Sequence, residues 1–285
     1  MITHLHAPVA EGMRLHVAVQ GKRGRMILFL HGFPEFWLAW HRQLEEFGQD
    51  HQAVAVDLRG YNQSDKPRGV RHYALPRIVA DVRALIRALS PNEPITLVGH
   101  DWGGFAGWVL AQDNPELLEH LVIINAPHPA LFYRELKHSW SQRIGSTYAL
   151  LFQLRGVSEM ALRAFDYAVL RQMIFGTTAK PDMFPETLRA AYRAAWSQPY
   201  ALAAGLHYYR NLRTLRRVAL QATQPVHVPT LVLWDDHDAA LKRSNLSGLE
   251  KLVLRLSVVR HPTATHWIVH EEPHWVNGTI RRFIS

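Results

Sequence analysis

Residues 97–104, LVGHDWGG, decide the fold, because they join a buried-looking strand to a helical pattern through a tight turn. Gly99 and Gly103 flank Asp101, and small residues at this spacing let the strand and the helix approach closely. The start of a helix favours an anion, and a carboxylate attacks an electrophilic carbon without first losing a proton. We therefore predict that Asp101 is a nucleophile; the alternative is that it only caps the helix.

The chain around this turn alternates between strand and helix patterns. Continuous apolar runs predict buried strands, and apolar residues at helical spacing predict the helices between them. The predicted strands are 12–20, 26–32, 53–60, 95–100 and 118–127, and a predicted helix covers 75–89. This alternation is typical of an α/β fold with a doubly wound, mostly parallel sheet.

The pattern becomes helical after residue 130. Predicted amphipathic helices lie at 146–155, 158–174, 185–196 and 200–214. Strands return at 228–236 and 252–260, and a last helix is predicted at 271–284. We therefore predict an α/β core from residues 1–130 and 223–285, with a helical cap inserted at 131–222. Pockets favour such junctions and the carboxyl ends of strands.

Composition limits the classes of function. The 285 residues contain no cysteine, which excludes disulfides and thiolate sites. The net charge is +8, but the arginines are scattered, so we predict no nucleic-acid partner. No stretch approaches the ~20 apolar residues of a membrane span, and the N-terminal residues lack a signal-peptide pattern. We expect a soluble, cytoplasmic protein without a membrane partner.

The loop HGFPE, residues 31–35, follows the first parallel strand. In such a sheet this loop lies beside the turn at Asp101. The backbone N–H groups of Phe33 and Trp102 are predicted to form an oxyanion hole, which stabilises the charge that develops when an ester is hydrolysed. We also expect His31, Pro34 and Trp102 to contact the substrate.

A general base is needed to activate water for that hydrolysis. His266 lies between the last predicted strand and the last helix, the place of the base in the chain order nucleophile, acid, histidine. His261, His270 and His274 are rivals. His266, His270 and His274 follow one another at intervals of four residues, which resembles a metal site on a helix. Pro273 interrupts the helix that would align them, so we predict no metal.

The acid that orients this base should follow the strand VPTLVLW. Asp235, Asp236 and Asp238 all lie there, and we favour Asp238, which follows the strand after a short loop. The alternative for Asp235 and Asp236 is that they only form a solvated loop. The other location for an acid, after the strand LVIIN, holds Asn125. An amide would not offset the positive charge of a protonated imidazole.

Several segments together resemble the α/β-hydrolase-fold epoxide hydrolases. They are HGFPEFWLAW, DLRGYNQSDKP, LVGHDWGG, INAPHP, GLHYYRNL, VPTLVLWDDHD and THWIVHEEPHWVN. The resemblance implies an α/β-hydrolase fold with a helical cap and conversion of epoxides to vicinal diols. It implies a small-molecule epoxide and water as partners, no cofactor, and a monomer or homodimer.

The resemblance also implies that two cap tyrosines donate protons to the epoxide oxygen. The segment YYRN puts one of them at Tyr209, and STYALLFQL puts the other at Tyr148. Tyr208 and Tyr192 are the rival candidates. The loop before Asp238 reads Asp-Asp-His where a glycine is more usual in the family.

Two other functions compete with this interpretation. Haloalkane and fluoroacetate dehalogenases share the aspartate nucleophile. Fluoroacetate dehalogenases carry arginine after the nucleophile and His-Trp near position 148, where this chain has Trp102 and Thr147-Tyr148. Haloalkane dehalogenases tend to place a polar halide ligand where this chain has Phe33. A non-catalytic small-molecule receptor on the same fold is the third hypothesis.

Overall fold

The computed structural model describes residues 1–222 and 224–285. Within them, eight strands form a single sheet in the order β1-β2-β4-β3-β5-β6-β7-β8. The pairs β1/β2 and β2/β4 are antiparallel and the other pairs are parallel. The strands are β1 Thr3–Pro8, β2 Arg14–Gln20, β3 Met26–Leu30, β4 Gln52–Val56, β5 Ile95–His100, β6 Leu118–Ile124, β7 Thr230–Asp235 and β8 Leu256–His261.

Helices cover both faces of the sheet and fill the interval between β6 and β7. The α-helices of the described residues are α1 His41–Phe47, α2 Leu75–Leu89, α3 Trp102–Asp113, α4 Pro129–His138, α5 Trp140–Gly145, α6 Tyr148–Leu151, α7 Val157–Phe175, α8 Glu186–Ser197, α9 Ala201–Arg210, α10 Leu212–Gln221, α11 Ile268–Glu271 and α12 Pro273–Ile284. None of these described helices combines the length and the apolar character that crossing a membrane requires.

The central strands are apolar throughout because both of their faces are covered. In β3, Leu28 and Leu30 belong to the core cluster on the side of α2 and α3. Ile27 and Phe29 alternate with them and belong to the cluster on the side of α1 and α12. Successive side chains of a strand point to opposite faces, so a run without polar residues is what a doubly covered sheet requires.

Most of the predicted elements are confirmed, with small shifts at their ends. The mostly parallel sheet is confirmed, and helices α4–α10 lie between β6 and β7, in the interval where the cap was predicted. β1 was not predicted because five of its six side chains are exposed, which leaves no apolar alternation. The helix predicted at 200–214 is two helices, since α9 ends at Arg210. The predicted boundary at residue 223 lies outside the described residues.

Candidate active site

Asp101 occupies a strained turn between β5 and α3. Its backbone has φ +49° and ψ −119°, a conformation that few non-glycine residues adopt and that is often found at functional sites. The neighbouring glycines leave room for this turn. A Cβ on Gly103 would lie 2.3 Å from the carbonyl oxygen of Leu30, and a Cβ on Gly32 would lie 2.2 Å from Oδ1 of Asp101. Both positions therefore require glycine.

The carboxylate of Asp101 is held by backbone amides. Phe33 donates its N–H to Oδ1 over 2.9 Å, and the Trp102 N–H is a second donor to the same carboxylate. Burial raises the pKa of Asp101, while His266, His100 and these amides act in the opposite direction. The two amides predicted to form an oxyanion hole therefore lie at the carboxylate itself.

His266 stands between two carboxylates. Its Nδ1 lies 2.6 Å from Oδ2 of Asp238, and its Nε2 lies 4.0 Å from Oδ2 of Asp101. The other oxygen of Asp238 accepts the backbone N–H groups of Ala240 and Leu241, at 2.7 and 2.9 Å. Asp238 is thus fixed by three hydrogen bonds, and it holds the imidazole with Nε2 toward Asp101.

The two carboxylates determine the protonation of His266. Burial alone would lower the pKa of His266, but the negative charges of Asp238 and Asp101 and the hydrogen bond that His266 donates to Asp238 outweigh burial and raise it to about 10. Burial acts to raise the pKa of Asp238, but His266 and the two loop amides lower it on balance. The free protein therefore favours an imidazolium at His266, paired with the ionised carboxylate of Asp238.

Tyr148 and Tyr209 face Asp101 from the cap. Tyr148 begins α6 and Tyr209 lies near the end of α9, and their ring centroids are 5.7 Å apart. The Tyr209 ring also packs edge-on against Phe33 and Trp102, at 5.3 Å from each. Burial raises the pKa of both tyrosines, and the charge of Asp101 raises it further, so both phenols keep their protons.

The space in front of Asp101 is a cavity with two lobes. The larger lobe has a volume of about 410 Å³, and the smaller lobe, on the His266 side, has about 210 Å³. Both lobes share four lining residues, Asp101, Tyr148, Tyr209 and Leu241. The carboxylate and the two phenols therefore meet where the lobes join.

Known proteins are similar to this chain in sequence and in fold. The family profile of the alpha/beta hydrolase fold matches residues 25–273. The chain is 36% identical to epoxide hydrolase 3 of Xenopus tropicalis over 96% of this chain and 76% of that protein. It is 37% identical to the AB hydrolase superfamily protein YfhM of Bacillus subtilis (strain 168), over 96% of each. The crystal structure of a Bacillus megaterium epoxide hydrolase with an inhibitor matches with a TM-score of 0.91 and 34% identity, over 98% of this chain and 99% of that one.

The chain belongs to the α/β-hydrolase-fold epoxide hydrolases. The resemblance inferred from the motifs is thereby confirmed. This epoxide hydrolase has the predicted fold, while the roles of its individual residues are inferred from the geometry of the site.

The rival residues of this epoxide hydrolase are engaged elsewhere. The hydroxyl of Tyr208 donates to the backbone oxygen of Arg59 over 2.8 Å, and that of Tyr192 donates to Glu35 over 3.0 Å. Nδ1 of His261 accepts the N–H of Ala264 within its own loop. His270 and His274 line neither lobe of the cavity.

Contrary to our expectation, His31 and Pro34 do not line the cavity. His31 is fully buried, with Nδ1 2.8 Å from the oxygen of Gly32 and Nε2 accepting the N–H of Leu58 at 3.1 Å. The backbone oxygen of Pro34 accepts the indole N–H of Trp196 over 2.7 Å. Neither residue lines either lobe. Both residues hold the HGFPE loop in place, so this geometry gives no support to direct substrate contact.

A buried cluster around Glu35 was not foreseen from the sequence. Glu35 contacts His100 Nδ1 at 3.0 Å and His270 Nε2 at 2.8 Å. The other nitrogen of His100 lies 2.9 Å from the backbone oxygen of His266, and the amide of Asn125 donates to that oxygen over 3.3 Å. The cluster thus supports the His266 backbone. Its residues are far apart in the sequence, so no local motif could have indicated it.

Asp235 does not lie in a solvated loop, the alternative considered for it. Asp235 ends β7 and is 1% exposed, and its Oδ2 has no hydrogen-bond partner within the described residues. Burial and the nearby charge of Asp238 raise the pKa of Asp235 to about 7. Its neighbour Asp236 does lie toward the surface, where it pairs with Arg260 at 3.0 Å.

Glu271 joins the histidine loop to the cap. One oxygen accepts the backbone N–H of Thr265, the residue before His266, over 2.7 Å. The other accepts the hydroxyl of Thr178 at 2.6 Å and the N–H of Ala179 at 2.7 Å, both from the cap. Because Glu271 is buried, this connection is shielded from water and fixes the cap relative to the histidine loop.

Proposed function

We propose that this protein hydrolyses epoxides to vicinal diols through a covalent ester on Asp101. The observation that carries the proposal is the orientation of the Asp101 carboxylate. Oδ1 rests on the Phe33 amide, while Oδ2 faces His266 across 4.0 Å. One oxygen is thus held by backbone donors, and the other is available for attack.

The first step opens the epoxide ring. Oδ2 of Asp101 attacks one ring carbon, a C–O ester bond forms, and the ring C–O bond of that carbon breaks. The ring oxygen takes a proton from Tyr148 or Tyr209, which border the cavity beside Asp101. A phenol that keeps its proton is suited to this task, because it can donate as soon as an alkoxide develops.

The second step hydrolyses the ester. Nε2 of His266 takes a proton from water, and the water oxygen attacks the carbonyl carbon of the Asp101 ester. The Phe33 and Trp102 amides stabilise the oxyanion that forms. The bond between the carbonyl carbon and the diol oxygen then breaks. That oxygen takes the proton held by His266, the carboxyl proton left on Asp101 returns to the tyrosinate of the first step, and the diol leaves.

Formation of the ester would itself activate the base. His266 has a pKa of about 10 partly because Asp101 is an anion. The ester is neutral, so one of the negative charges that raise this pKa disappears in the first step. The pKa of His266 should therefore fall in the intermediate, and a larger fraction of the imidazole can accept the proton of water at neutral pH.

The cavity favours an apolar substituent on the epoxide. The larger lobe is lined by Phe105, Phe132, Leu136, Trp140 and Ile144. A variant of the Bacillus megaterium epoxide hydrolase is described in complex with its product, a naphthyloxy-propanediol. By similarity, we propose terminal epoxides with an aryl or alkyl group as substrates, with that group in the larger lobe.

The test is a comparison of products from four classes of substrate. A terminal aryl epoxide, a bromoalkane, fluoroacetate and an activated ester are each incubated with the purified protein. The proposal predicts diol from the epoxide and no halide from either halogenated compound. Release of halide without formation of diol would identify a dehalogenase, and binding of ligands without any turnover would favour a receptor.

A further inference from the structure

The cap exposes an unusual concentration of large apolar side chains. Within the described residues, nine of the fourteen such exposed side chains lie between residues 140 and 169. Water-exposed apolar patches of this kind commonly mark interaction sites. We define the apolar rim as five of these residues that are close in the chain: Trp140, Ile144, Leu150, Leu151 and Leu154.

The apolar rim surrounds the opening of the larger lobe. Trp140, Ile144 and Leu150 line that lobe, although they are 75%, 67% and 66% exposed. Side chains that line a cavity and also face water mark its mouth. Leu151 and Leu154 belong to the adjoining turn, in which the N–H of Leu154 donates to the oxygen of Leu151. The surface of the rim is therefore continuous with the route by which a substrate enters.

The rim carries positive charge. Lys137, Arg143 and Arg155 are exposed beside it, and none of the three forms an ion pair within the described residues. The acidic residues that flank this segment, Glu135 and Glu159, are already paired with Arg134 at 3.0 Å and with Arg210 at 2.6 Å. The rim thus combines exposed apolar side chains, including one tryptophan, with cations that no carboxylate of the described residues neutralises.

We propose that the apolar rim docks on the surface of a lipid bilayer that contains anionic lipids, with the cavity mouth against the membrane. Tryptophan and aliphatic side chains insert at the boundary between headgroups and acyl chains, while lysine and arginine are attracted to anionic headgroups. Apolar molecules dissolved in the bilayer would then reach the larger lobe without passing through bulk water. The docking itself does not depend on the proposed reaction.

A second copy of the chain is the competing occupant, and charge disfavours it. A twofold interface places the same patch of both copies face to face. Lys137, Arg143 and Arg155 of one copy would then face the same cations of the other, which opposes association.

The expectation of no membrane partner rested on the lack of a spanning segment, and such a segment is not needed for peripheral docking.

The test is flotation of the purified full chain with lipid vesicles. One set is phosphatidylcholine alone, and the other mixes two parts of it with one part phosphatidylglycerol. The proposal predicts that the protein floats with the anionic vesicles and that added salt weakens this binding. The double substitution Leu151→Glu and Leu154→Glu should reduce the bound fraction at least tenfold.

Two controls separate docking from folding and from the proposed reaction. Leu254→Glu changes an exposed leucine outside the cap and should bind like the parent protein. The double variant should keep the parent thermal melting temperature and its turnover of a water-soluble epoxide, because Leu151 and Leu154 do not line the cavity. If no epoxide is turned over by either protein, the proposed function fails while vesicle binding still tests the docking.

The proposal is overturned if the parent protein does not float with anionic vesicles. It is also overturned if the parent forms a dimer by analytical ultracentrifugation that the double variant loses, and neither protein binds vesicles. In that case the apolar rim is an interface between two copies of this chain.

Discussion

The half of the site built on the sheet differs from the half built on the cap. On the sheet, the carboxylates of Asp101 and Asp238 and the ring of His266 are held by hydrogen bonds of 2.6–2.9 Å. On the cap, Tyr148 and Tyr209 are held mainly by the edges of neighbouring aromatic rings. Directed hydrogen bonds fix the positions of individual atoms. Aromatic contacts position only the ring of a tyrosine and do not fix its hydroxyl.

Because of this difference, we assign the two halves of the site different roles in the reaction. In the proposed mechanism, the sheet half carries the covalent chemistry, which requires the nucleophile, base and acid within a narrow geometry. The cap half would supply the proton donors and the apolar wall against which the substrate rests. We therefore expect substitution of Asp101, Asp238 or His266 to block or strongly slow a step, and substitutions on the cap to slow a step less or change the substrate range.

The largest effect is expected for Asp101→Ala. Without the carboxylate no ester can form, so turnover of an aryl epoxide should fall by a factor of about 10⁵ or more. Formation of diol in a stopped assay measures this loss. An unchanged thermal melting temperature is the control for folding, and a variant that retains a substantial part of the parent rate would show that the sheet half does not carry the nucleophile.

Asp238→Asn should impair mainly the second step. The amide cannot balance the charge of His266, and removal of this carboxylate lowers the pKa of His266 and loosens its orientation. Ester hydrolysis should slow by a factor of about 10³–10⁴, as is typical for the orienting acid of such triads. Rapid-quench kinetics should show an unchanged burst of ester formation before the slow phase. Equal slowing of both steps would show that Asp238 does not act mainly through the base.

Tyr209→Phe should slow the first step by a factor of roughly 10². The second phenol, Tyr148, remains beside Asp101 and limits the loss. Tyr208→Phe is the matched control, because the Tyr208 hydroxyl is bonded to Arg59 and is absent from both lobes. If the two variants form the ester at the same rate, the Tyr209 hydroxyl is not the proton donor.

The smallest effect is expected for Asp235→Asn. Asp235 has a pKa of about 7 and, when ionised above it, contributes to raising the pKa of His266. Removing this charge lowers the pKa of His266, so the rise of the hydrolysis rate with pH should move to lower pH, by less than about one unit.

The control for this shift is Asp236→Asn, at the surface pair with Arg260. Its pH profile should match that of the parent enzyme. A shift of the same size in both variants would mean that the effect comes from the net charge of the protein rather than from the buried carboxylate.

The sheet half could be predicted from the sequence because its residues follow strand ends. Asp101, Asp238 and His266 each lie after a recognisable apolar run, and the order of those runs along the chain indicates which loops meet. Glycines add a local signal, since the missing side chains of Gly32 and Gly103 make room for Asp101 and Leu30.

The rest depends on contacts between distant segments. Asp235 and Asp236 are adjacent in sequence, yet one is buried and the other lies toward the surface, and only the packing of β7 distinguishes them. Glu35 meets Tyr192 and His270 across long stretches of chain. The cap helices follow no strand-end rule, so family resemblance, rather than spacing, led to Tyr148 and Tyr209.

The central claim is that an ester forms on Asp101, and trapping that ester tests it most directly. The variant His266→Gln keeps the nucleophile but lacks the base, so it should form the ester and fail to hydrolyse it. Mass spectrometry of this variant after exposure to an aryl epoxide should show one added epoxide mass, located by peptide mapping on Asp101. Absence of any adduct, or an adduct on another residue, would contradict the account.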